Sequence, residues 1–287
     1  MTLLLKVTGN NPLLILENTL KVFKSDKFDV EDTASLSLFL YPDFLVIFAK
    51  DQNQSNTGIH YYPKLDIKSL DQLILTDPLL RLDVPARLFI HHPGFSLVPG
   101  VLYSSGNEAQ FLSFSKEVPD NAFYFNTPLD SNNLQVLSYV DEKMKKHLEA
   151  RFSDLSFYHG SCSFLSYLFK ERFNLIGQEI IVNVFGKQMY VAAFTDQELS
   201  TFNLFEIQSK EDILKYVLIL IEQLHYDRNH VRISVFGIPA KSEITENWGK
   251  QYFQNFRILV PHANQNYSHG FKHLKDLGLF EVSWQYL

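Results

Sequence analysis

His159 and Cys162 come nearest, of all residues in this chain, to the types and spacing that nucleophilic catalysis requires. They lie three positions apart near the start of a predicted helix. A thiolate there would be stabilised by free backbone amides and by the neighbouring imidazole. Cysteine is also among the residue types most often buried in cores, and no acid that would orient the imidazole is identifiable. We therefore predict a buried structural cysteine rather than a thiol enzyme, with His159 hydrogen-bonded between the two halves of the chain.

Histidine pairs raise a second kind of chemistry, the binding of a metal ion. His269 and His273 are four residues apart in a predicted helix over residues 269–277, which places two imidazoles on one face. No third ligand is evident, so surface histidines are the preferred interpretation. His91 and His92 are adjacent on a predicted strand, where successive side chains point to opposite faces. Neither pair predicts a metal site.

The length and composition indicate a folded protein of two domains. Its 287 residues suffice for two separate cores, and 46% of them are apolar. The 25 Phe residues fit aromatic-rich cores or, alternatively, a base-stacking surface for nucleic acid. Nucleic-acid binding usually needs a basic groove, whereas 26 Lys and Arg stand against 32 Asp and Glu, a net charge of −6. We therefore do not predict nucleic-acid binding.

The cysteine count and the apolar segments favour the cytoplasm. One cysteine excludes an intrachain disulfide, which fits a reducing compartment. The most apolar stretch, residues 213–224, contains Lys215 and Glu222 and is shorter than the ~20 residues that span a bilayer. The apolar run at residues 1–5 is too short for a signal peptide. We predict a soluble cytoplasmic protein without membrane insertion.

The second half of the chain carries the clearest pattern of elements. Three strands, a long apolar helix and a fourth strand are predicted at residues 179–185, 188–194, 199–207, 209–225 and 231–236. A weaker copy of this order lies between Ser35 and Pro93, at residues 35–40, 44–50, 59–62, 69–75 and 86–91. Equivalent positions are about half the chain length apart. The pattern predicts an internally duplicated α/β protein.

The long helix of the second copy is predicted from its capping residues and its apolar surface. Ser209 is placed to cap the free amides, and Asp212 is placed to bond back to the cap, a variant of the capping box. Apolar residues from Ile213 to Leu224 cover nearly the whole circumference, which is typical of a helix covered by protein on most sides. We therefore expect this helix between a sheet and the other half of the chain.

Further elements are predicted outside the two copies. Leucine spacing predicts a helix at residues 13–23. Other helices are expected at residues 141–152, 158–173, 243–253 and 269–277. Strands are expected at residues 110–114, 122–125, 134–140, 256–260 and 280–284, and extended chain is expected at residues 95–103.

Three segments carry a resemblance to a known superfamily: FSLVPGVLY at residues 95–103, HGSCSFL at 159–165 and KEDILKYVLILIEQL at 210–224. With the repeated strand order, they resemble the actin-like (RNase H-like) ATPase superfamily. They resemble more closely an uncharacterised bacterial family of divergent actin-like proteins, which has no established activity. The likeness covers roughly residues 35–260. It implies two mixed β-sheets flanked by helices, with a cleft between an N-terminal lobe (residues 1–155, of which 1–34 are partly peripheral) and a C-terminal lobe (residues 156–287).

Members of that superfamily that hydrolyse ATP hold its phosphates with two hairpin turns, and the resemblance locates the equivalent turns here. Each turn normally has a Gly for close backbone approach and an Asp that positions Mg²⁺ through water. The first turn of this chain reads Tyr41-Pro42-Asp43. It has no Gly, Pro42 lacks an amide, and the acid sits in the turn itself.

The second turn keeps more of the pattern. Asn183 stands where a carboxylate is expected, and Gly186 and Lys187 form the turn. On the adenosine side, the usual paired glycines are reduced to Gly237 before an Ile-Pro pair. The resemblance thus implies a vestigial nucleotide site at these four residues, although ordinary turn chemistry is the preferred interpretation of the glycines. No cofactor is expected, with ATP and Mg²⁺ as the alternative.

These observations predict a non-catalytic binding or scaffold protein with a degenerate actin-like ATPase fold. Its partner would dock in the cleft or on an exposed sheet edge, a mode with precedent in superfamily scaffolds of pilus and secretion assemblies. Side chains that fill the cleft would favour this hypothesis, and the ones to inspect are Tyr41, Phe185 and Ile238.

The alternative is a divergent nucleotide-binding ATPase or kinase with substituted phosphate contacts. That hypothesis requires an open polar cleft in which carboxylates converge, because the metal and the phosphates need charged ligands. The acids at predicted strand ends are Asp43, Asp51 and Asp196.

Overall fold

The computed structural model describes residues 20–65, 70–114, 117–175 and 177–287. Their strands are β1 (Lys21–Lys24), β2 (Ser35–Leu40), β3 (Leu45–Lys50), β4 (Ser55–Tyr62), β5 (Ala86–Ile90), β6 (Phe95–Pro99), β7 (Ala122–Leu129), β8 (Leu134–Asp141), β9 (Leu155–His159), β10 (Gln178–Phe185), β11 (Gln188–Thr195), β12 (Glu198–Glu206), β13 (Arg232–Phe236), β14 (Asn255–Ile258) and β15 (Asn266–Tyr267). Their α-helices are α1 (Leu70–Thr76), α2 (Glu108–Ser113), α3 (Glu142–Glu149), α4 (Ser161–Glu171), α5 (Lys210–Gln223) and α6 (Glu246–Gly249).

The first sheet contains the hairpin that the sequence predicts at residues 35–50. Its strand order is β1-β4-β3-β2-β5-β9, and β15 also pairs with β4. Strands β2, β3 and β4 are antiparallel neighbours, whereas β5 and β9 run parallel to β2. Nearly every residue of β2 and β3 is buried. Such continuous apolar runs form strands whose two faces are both covered, because neither face needs polar side chains.

The second sheet repeats this arrangement. Its order is β12-β11-β10-β13-β14, with β10, β11 and β12 antiparallel and with β13 and β14 parallel to β10. Position by position, this is the order β4-β3-β2-β5-β9 of the first sheet. The predicted fold of two mixed sheets flanked by helices is confirmed, and the sheets have the same strand order.

Three apolar cores hold the layers together. One lies on the first sheet with α1 and another on the second sheet with α5. The third core lies between the sheets and joins Phe39 and Phe89 of the first to Tyr190 and Phe236 of the second. Helix α4 and the C-terminal segment complete this shared core. The two halves are therefore packed directly against each other.

Helix α5 covers one face of the second sheet, and its predicted position between the halves is wrong. Its cap forms as expected, because the Asp212 carboxylate accepts the backbone N–H of Ser209 at 3.1 Å. Its buried residues are Ile213, Leu214, Val217, Leu220 and Ile221. Lys215 and Ile219 face outward, and the latter side chain is 37% exposed. Some apolar residues of α5 lie outside its buried face. The apolar pattern of the sequence therefore predicts a larger covered surface than the helix has.

A third sheet, of order β6-β8-β7, lies outside the two repeated ones. The sequence predicts strands at β7 and β8. It does not predict that they form one antiparallel sheet with β6. The predicted strand at residues 110–114 is wrong, because α2 occupies Glu108–Ser113. The predicted helix from residue 158 begins only at Ser161, since Leu155–His159 pairs with β5 as β9.

The C-terminal predictions fail more often. Helix α6 is one turn within the predicted 243–253, and only Leu274–Leu277 is helical, as a 3-10 turn, within 269–277. The predicted buried strand at residues 256–260 is the edge strand β14, of which only Phe256 is buried. The predicted strand at 280–284 contains the 3-10 turn Phe280–Val282. Phe280 and Trp284 are both buried in the shared core although this segment is not a strand. Their alternation in the sequence therefore does not indicate a strand.

The N-terminal segment contributes to the first sheet where it is described. Residues 21–24 form β1 on β4, which contradicts the end of the helix predicted at 13–23. Residues 13–19 of that helix and residue 69, the first of the element predicted at 69–75, lie outside the described residues. The lobe boundary between residues 155 and 156 stays a prediction.

Candidate functional site

The two hairpin turns that the resemblance assigns to phosphate binding contact each other. The rings of Tyr41 and Phe185, one from each turn, have centroids 5.4 Å apart. A Cβ added to Gly186 would lie 3.2 Å from the Phe44 ring and 3.3 Å from the Asp43 carboxylate. The two turns therefore approach each other closely beside the place where the resemblance puts the phosphates.

A cavity of about 450 Å³ opens beside the touching turns. Gly186, Lys187 and Gly237 line it, so the structure brings three of the four predicted site residues together. Asn183 is buried behind Gly237, with Oδ1 2.8 Å from the place of a Cβ on that glycine. That amide oxygen accepts no hydrogen bond from the described residues. Gly237 has a φ of +78° and lies against the Val184 carbonyl, a position that only glycine fits.

Some donors near the cavity are missing or already bonded. Pro42 has no N–H, and the N–H of Tyr41 donates a 2.9 Å hydrogen bond to the Phe44 carbonyl. The Asp212 carboxylate accepts the N–H of Gln208 at 2.7 Å, which occupies one amide where α5 begins at the cavity wall. Lys187 is exposed and has no ion pair among the described carboxylates. One unpaired cation among the described lining residues gives little positive charge to hold a phosphate.

Aromatic side chains fill the space between the sheets beside these turns. Tyr41 stacks between Phe44 and His91, each with a centroid separation of 3.9 Å. The His91 Nδ1 lies 3.2 Å from the Tyr190 hydroxyl, on the second sheet. Tyr41 and Phe185 are both buried, and Ile238 is partly buried at the cavity wall. The packing matches the filled arrangement that the scaffold hypothesis requires.

A buried carboxyl group, Glu281, meets this aromatic cluster, and the sequence does not reveal it. The hydroxyl of Tyr41 donates a 2.6 Å hydrogen bond to its Oε2. Burial raises the pKa of Glu281 to about 7, while the bond from Tyr41 opposes the shift. Burial also lowers the pKa of His91 well below its ordinary value. The site is thus poor in charge, which suits packing better than phosphate chemistry.

The three acids predicted for an open cleft do not converge. Asp43 lines the cavity beside Gly186. Asp51 accepts the N–H groups of Asn53 and Ser55 at 2.9 Å and so stabilises its own turn. Asp196 lies exposed in the turn between β11 and β12, with a φ of +46°. No paired-carboxylate site results from this arrangement.

His159 and Cys162 form no nucleophilic pair. The His159 ring bonds through Nδ1 to the Ser161 hydroxyl at 2.7 Å and through Nε2 to the His92 carbonyl at 2.9 Å. The second bond joins His159, in the second half of the chain, to His92, in the first half, so the predicted bond between the halves forms, and it lies at the end of the first sheet. Burial lowers the pKa of His159 to about 3 and raises the pKa of Cys162 to about 12. The thiol stays protonated at neutral pH.

The remaining histidines are also separated. His269 Nδ1 pairs with Asp26 at 3.0 Å, and His273 Nδ1 pairs with Asp276 at 3.3 Å, so the predicted shared helix face does not form. His92 turns away from the His91 cluster and lies 3.0 Å from the Ser138 hydroxyl. Among the residues with described positions, no three His, Cys, Asp or Glu side chains are grouped to hold a metal ion.

The sequence matches the profile of one protein family, which is described as a protein of unknown function (DUF3822). The match covers residues 27–256. No curated protein matches the chain. No helix in the described ranges has the length and apolar character that crossing a membrane requires.

Solved structures show the same fold. A Bacteroides thetaiotaomicron protein with an actin-like ATPase fold and unknown function is similar with a TM-score of 0.71 and 16% identity. The match covers 81% of this chain and 93% of that one. The PilM-PilN type IV pilus biogenesis complex contains a chain with a TM-score of 0.56 and 9% identity, covering 88% of this chain and 96% of that one. The chain thus has an actin-like ATPase fold.

Proposed function

The chain belongs to the DUF3822 family of proteins of unknown function, and we propose that it is a non-catalytic binding protein, a scaffold on a degenerate actin-like ATPase fold. The observation that carries this proposal is the contact between the two hairpin turns. Gly186 of the second turn lies against Phe44 and Asp43 of the first. A phosphoryl group needs that space, and the shared aromatic core holds the turns together.

Loss of charge at the same place supports the proposal. Asn183 replaces a carboxylate that would position Mg²⁺, and Pro42 removes a turn amide. Catalysis of phosphoryl transfer rests on positioning and electrostatic stabilisation of the phosphate charge. A turn pair without converging acids cannot hold the Mg²⁺ that would supply this stabilisation.

A phosphate-release assay tests the absence of catalysis. Purified protein is incubated with ATP and Mg²⁺ beside a Lys187→Ala variant, whose change removes the cavity's unpaired cation. We expect release at the rate of the protein-free control in both samples. Turnover by the wild type that disappears in the variant would contradict the proposal.

Nucleotide binding without hydrolysis is the second candidate function. The observation that favours it is the cavity of about 450 Å³, which Gly186, Lys187 and Gly237 line. A cavity of this size falls in the usual range for small-molecule sites. Calorimetry with ATP and with ADP separates this candidate from the first.

A protein partner and a cytoplasmic location complete the proposal. One structural neighbour belongs to a complex of two proteins, PilM and PilN, which gives precedent by fold analogy alone. The free and buried Cys162 is consistent with a reducing compartment. Selectivity for protein over nucleic acid stays a prediction from the acidic net charge of −6.

A further inference from the structure

Strand β12 is an uncovered outer strand of the second sheet. It pairs with β11 on one side and has no strand on the other in the described sheet. Its nine residues, ELSTFNLFE, contain no Lys, Arg or Pro. Exposed sheet edges are usually protected by such residues, by a bulge or by shortness, because an unprotected edge pairs with another chain. The central and C-terminal part of β12 has none of these protections.

The hydrogen-bonding groups that this edge presents follow from the register. The N–H of Ile207 donates to the Lys187 carbonyl at 2.8 Å, so it points toward β11. Backbone direction alternates along an antiparallel strand. The N–H and C=O groups of Phe202, Leu204 and Glu206 therefore point away from β11. No hydrogen bond from the described residues reaches these groups.

A groove of about 720 Å³ runs along this edge, and β6, the outer strand of the third sheet, forms its other wall. The rings of Phe95 and Phe202 meet across it with centroids 5.8 Å apart. Leu97 and Leu199 also line it, and Phe114 stands at its rim with 79% of its surface exposed. An extended segment in the groove would bury alternate apolar side chains and would pair its backbone with β12.

Charge identifies the kind of segment that fits. Glu198 and Glu206 lie exposed at the two ends of β12, and neither has an ion pair within the described ranges. A second copy of the chain, paired antiparallel about Phe202, would bring Glu198 near the copy's Glu206 at both ends, beyond the bulge of β12 at Ser200. Like charges directly opposite destabilise a strand pair. The edge therefore disfavours a second copy and favours basic residues.

We propose that β12 binds an extended segment of a partner protein, apolar in its centre and carrying Lys or Arg at both ends, which joins the second sheet as an additional outer strand. This inference rests on the proposed binding function. Backbone bonds to Phe202, Leu204 and Glu206 supply affinity, the groove takes the apolar side chains, and the terminal glutamates select the charge pattern.

A pair of synthetic peptides tests the charge selection. The probe is fluorescein-labelled Lys-Val-Thr-Val-Thr-Val-Thr-Val-Lys, and its control has Glu at both ends. By fluorescence anisotropy, we expect the Lys-ended peptide to bind about tenfold more tightly at low salt, with a smaller ratio at high salt. The double variant Glu198→Lys/Glu206→Lys should reverse the preference. The matched variant Glu31→Lys/Glu222→Lys changes net charge equally at exposed sites elsewhere and should retain it.

N-methylated peptides test the backbone pairing without changing the protein. Methyl groups on alternate residues block one edge of the peptide, and the complementary set blocks the other edge. We expect one set to abolish binding and the other to retain it, because β12 pairs with a single edge. Equal binding by both sets, or a preference that survives the β12 charge reversal, overturns the proposal. Dimerisation through β12 in sedimentation also overturns it.

Failure of this inference is distinguishable from failure of the scaffold hypothesis. If no peptide binds at millimolar concentration while phosphate release stays at background, the β12 site is wrong and the non-catalytic function stands. If ATP turnover depends on Lys187, the proposed function is wrong whatever the peptides do.

Discussion

The hydroxyl of Tyr41 donates a 2.6 Å hydrogen bond to the carboxyl group of Glu281, 240 positions further along the chain. Both side chains are buried, and Tyr41 also stacks on His91. The bond joins the first hairpin turn to the C-terminal segment, at the place where an active relative would admit phosphate. Because Glu281 is buried, its protonation state affects the free energy of unfolding.

Glu281 should make the protein less stable as the pH rises through 7. Burial raises its pKa from an ordinary 4.5 to about 7, so the folded state binds a proton that the unfolded state releases. Its stabilisation is fully present below pH 4.5 and is lost as the pH rises through 7. The shift corresponds to about 3 kcal/mol.

The variant Glu281→Gln keeps an oxygen acceptor for Tyr41 and removes the titration. We expect its free energy of unfolding, relative to wild type, to rise by about 2.5 kcal/mol between pH 5 and pH 8. Urea unfolding at four pH values measures this difference, with the exposed Glu206→Gln as the control. A difference that does not change with pH would contradict the buried Tyr41–Glu281 contact.

A second buried acid has the opposite pH dependence. Asp77 lies 2.6 Å from the His60 Nδ1 and also accepts a hydrogen bond from the Tyr62 hydroxyl. Burial by itself would raise the pKa of Asp77, but the bonds from these two partners lower it overall. Its stabilisation is therefore present above the ordinary pKa of 3.8 and is lost as the pH falls through the lowered value.

Asp77→Asn should lower the free energy of unfolding by about 3 kcal/mol at pH 7, because it breaks a buried hydrogen-bonded pair. Asp71→Asn, on the exposed face of α1, should change it by less than about 0.5 kcal/mol. Urea unfolding at pH 7 measures both. Similar midpoints for the two variants would show that the His60–Asp77 contact does not stabilise the fold.

Neighbouring leucines on α5 test how that helix is covered. Leu220 is 3% exposed in the core between α5 and the second sheet, whereas Leu218 is only partly buried in that core. Leu220→Ala should cost about 3 kcal/mol and Leu218→Ala about 1 kcal/mol, since the cost grows with the cavity left behind. Equal losses in chemical unfolding would restore the idea of a helix covered on most sides.

The sequence predicts the repeated sheets because their signals are local. Alternation and a short break identify the hairpin of β2 and β3, and the capping residues Ser209 and Asp212 identify the start of α5. Each of these signals lies within a few residues of the structure that it specifies. Gly186, Lys187 and Gly237 carry local turn signals of the same kind, whereas the cavity that they share depends on packing between distant segments.

Long-range packing explains what the sequence does not reveal. Glu281 lies in an apolar run whose residues enter the shared core one by one, so nothing nearby indicates its contact with Tyr41. Strand β9 is not predicted, because the helical pattern that begins at residue 158 overlaps its end. Its partner β5 lies about 70 residues earlier in the chain. The groove along β12 depends on β6 of another sheet, which no local pattern can indicate.

Cys162 should be unreactive in the folded protein. Its side chain is fully buried, and burial raises the pKa of the thiol to about 12. Ellman's reagent at pH 8 should detect almost no thiol in native protein and 1 thiol per chain in guanidinium chloride. Rapid modification of the native protein, abolished by His159→Ala, would revive a thiol enzyme.

Calorimetric titration of the purified protein with ATP and Mg²⁺, with ADP alongside, tests the central claim most directly. A Cβ on Gly186 would lie 3.2 Å from Phe44 and 3.3 Å from the Asp43 carboxylate, so an acid and a ring stand close to the second turn where a phosphate would bind. We predict a flat trace at millimolar nucleotide for the wild type and for Lys187→Ala alike. Saturable heat at micromolar affinity, lost in Lys187→Ala, would show that the cleft still holds nucleotide and would contradict the account.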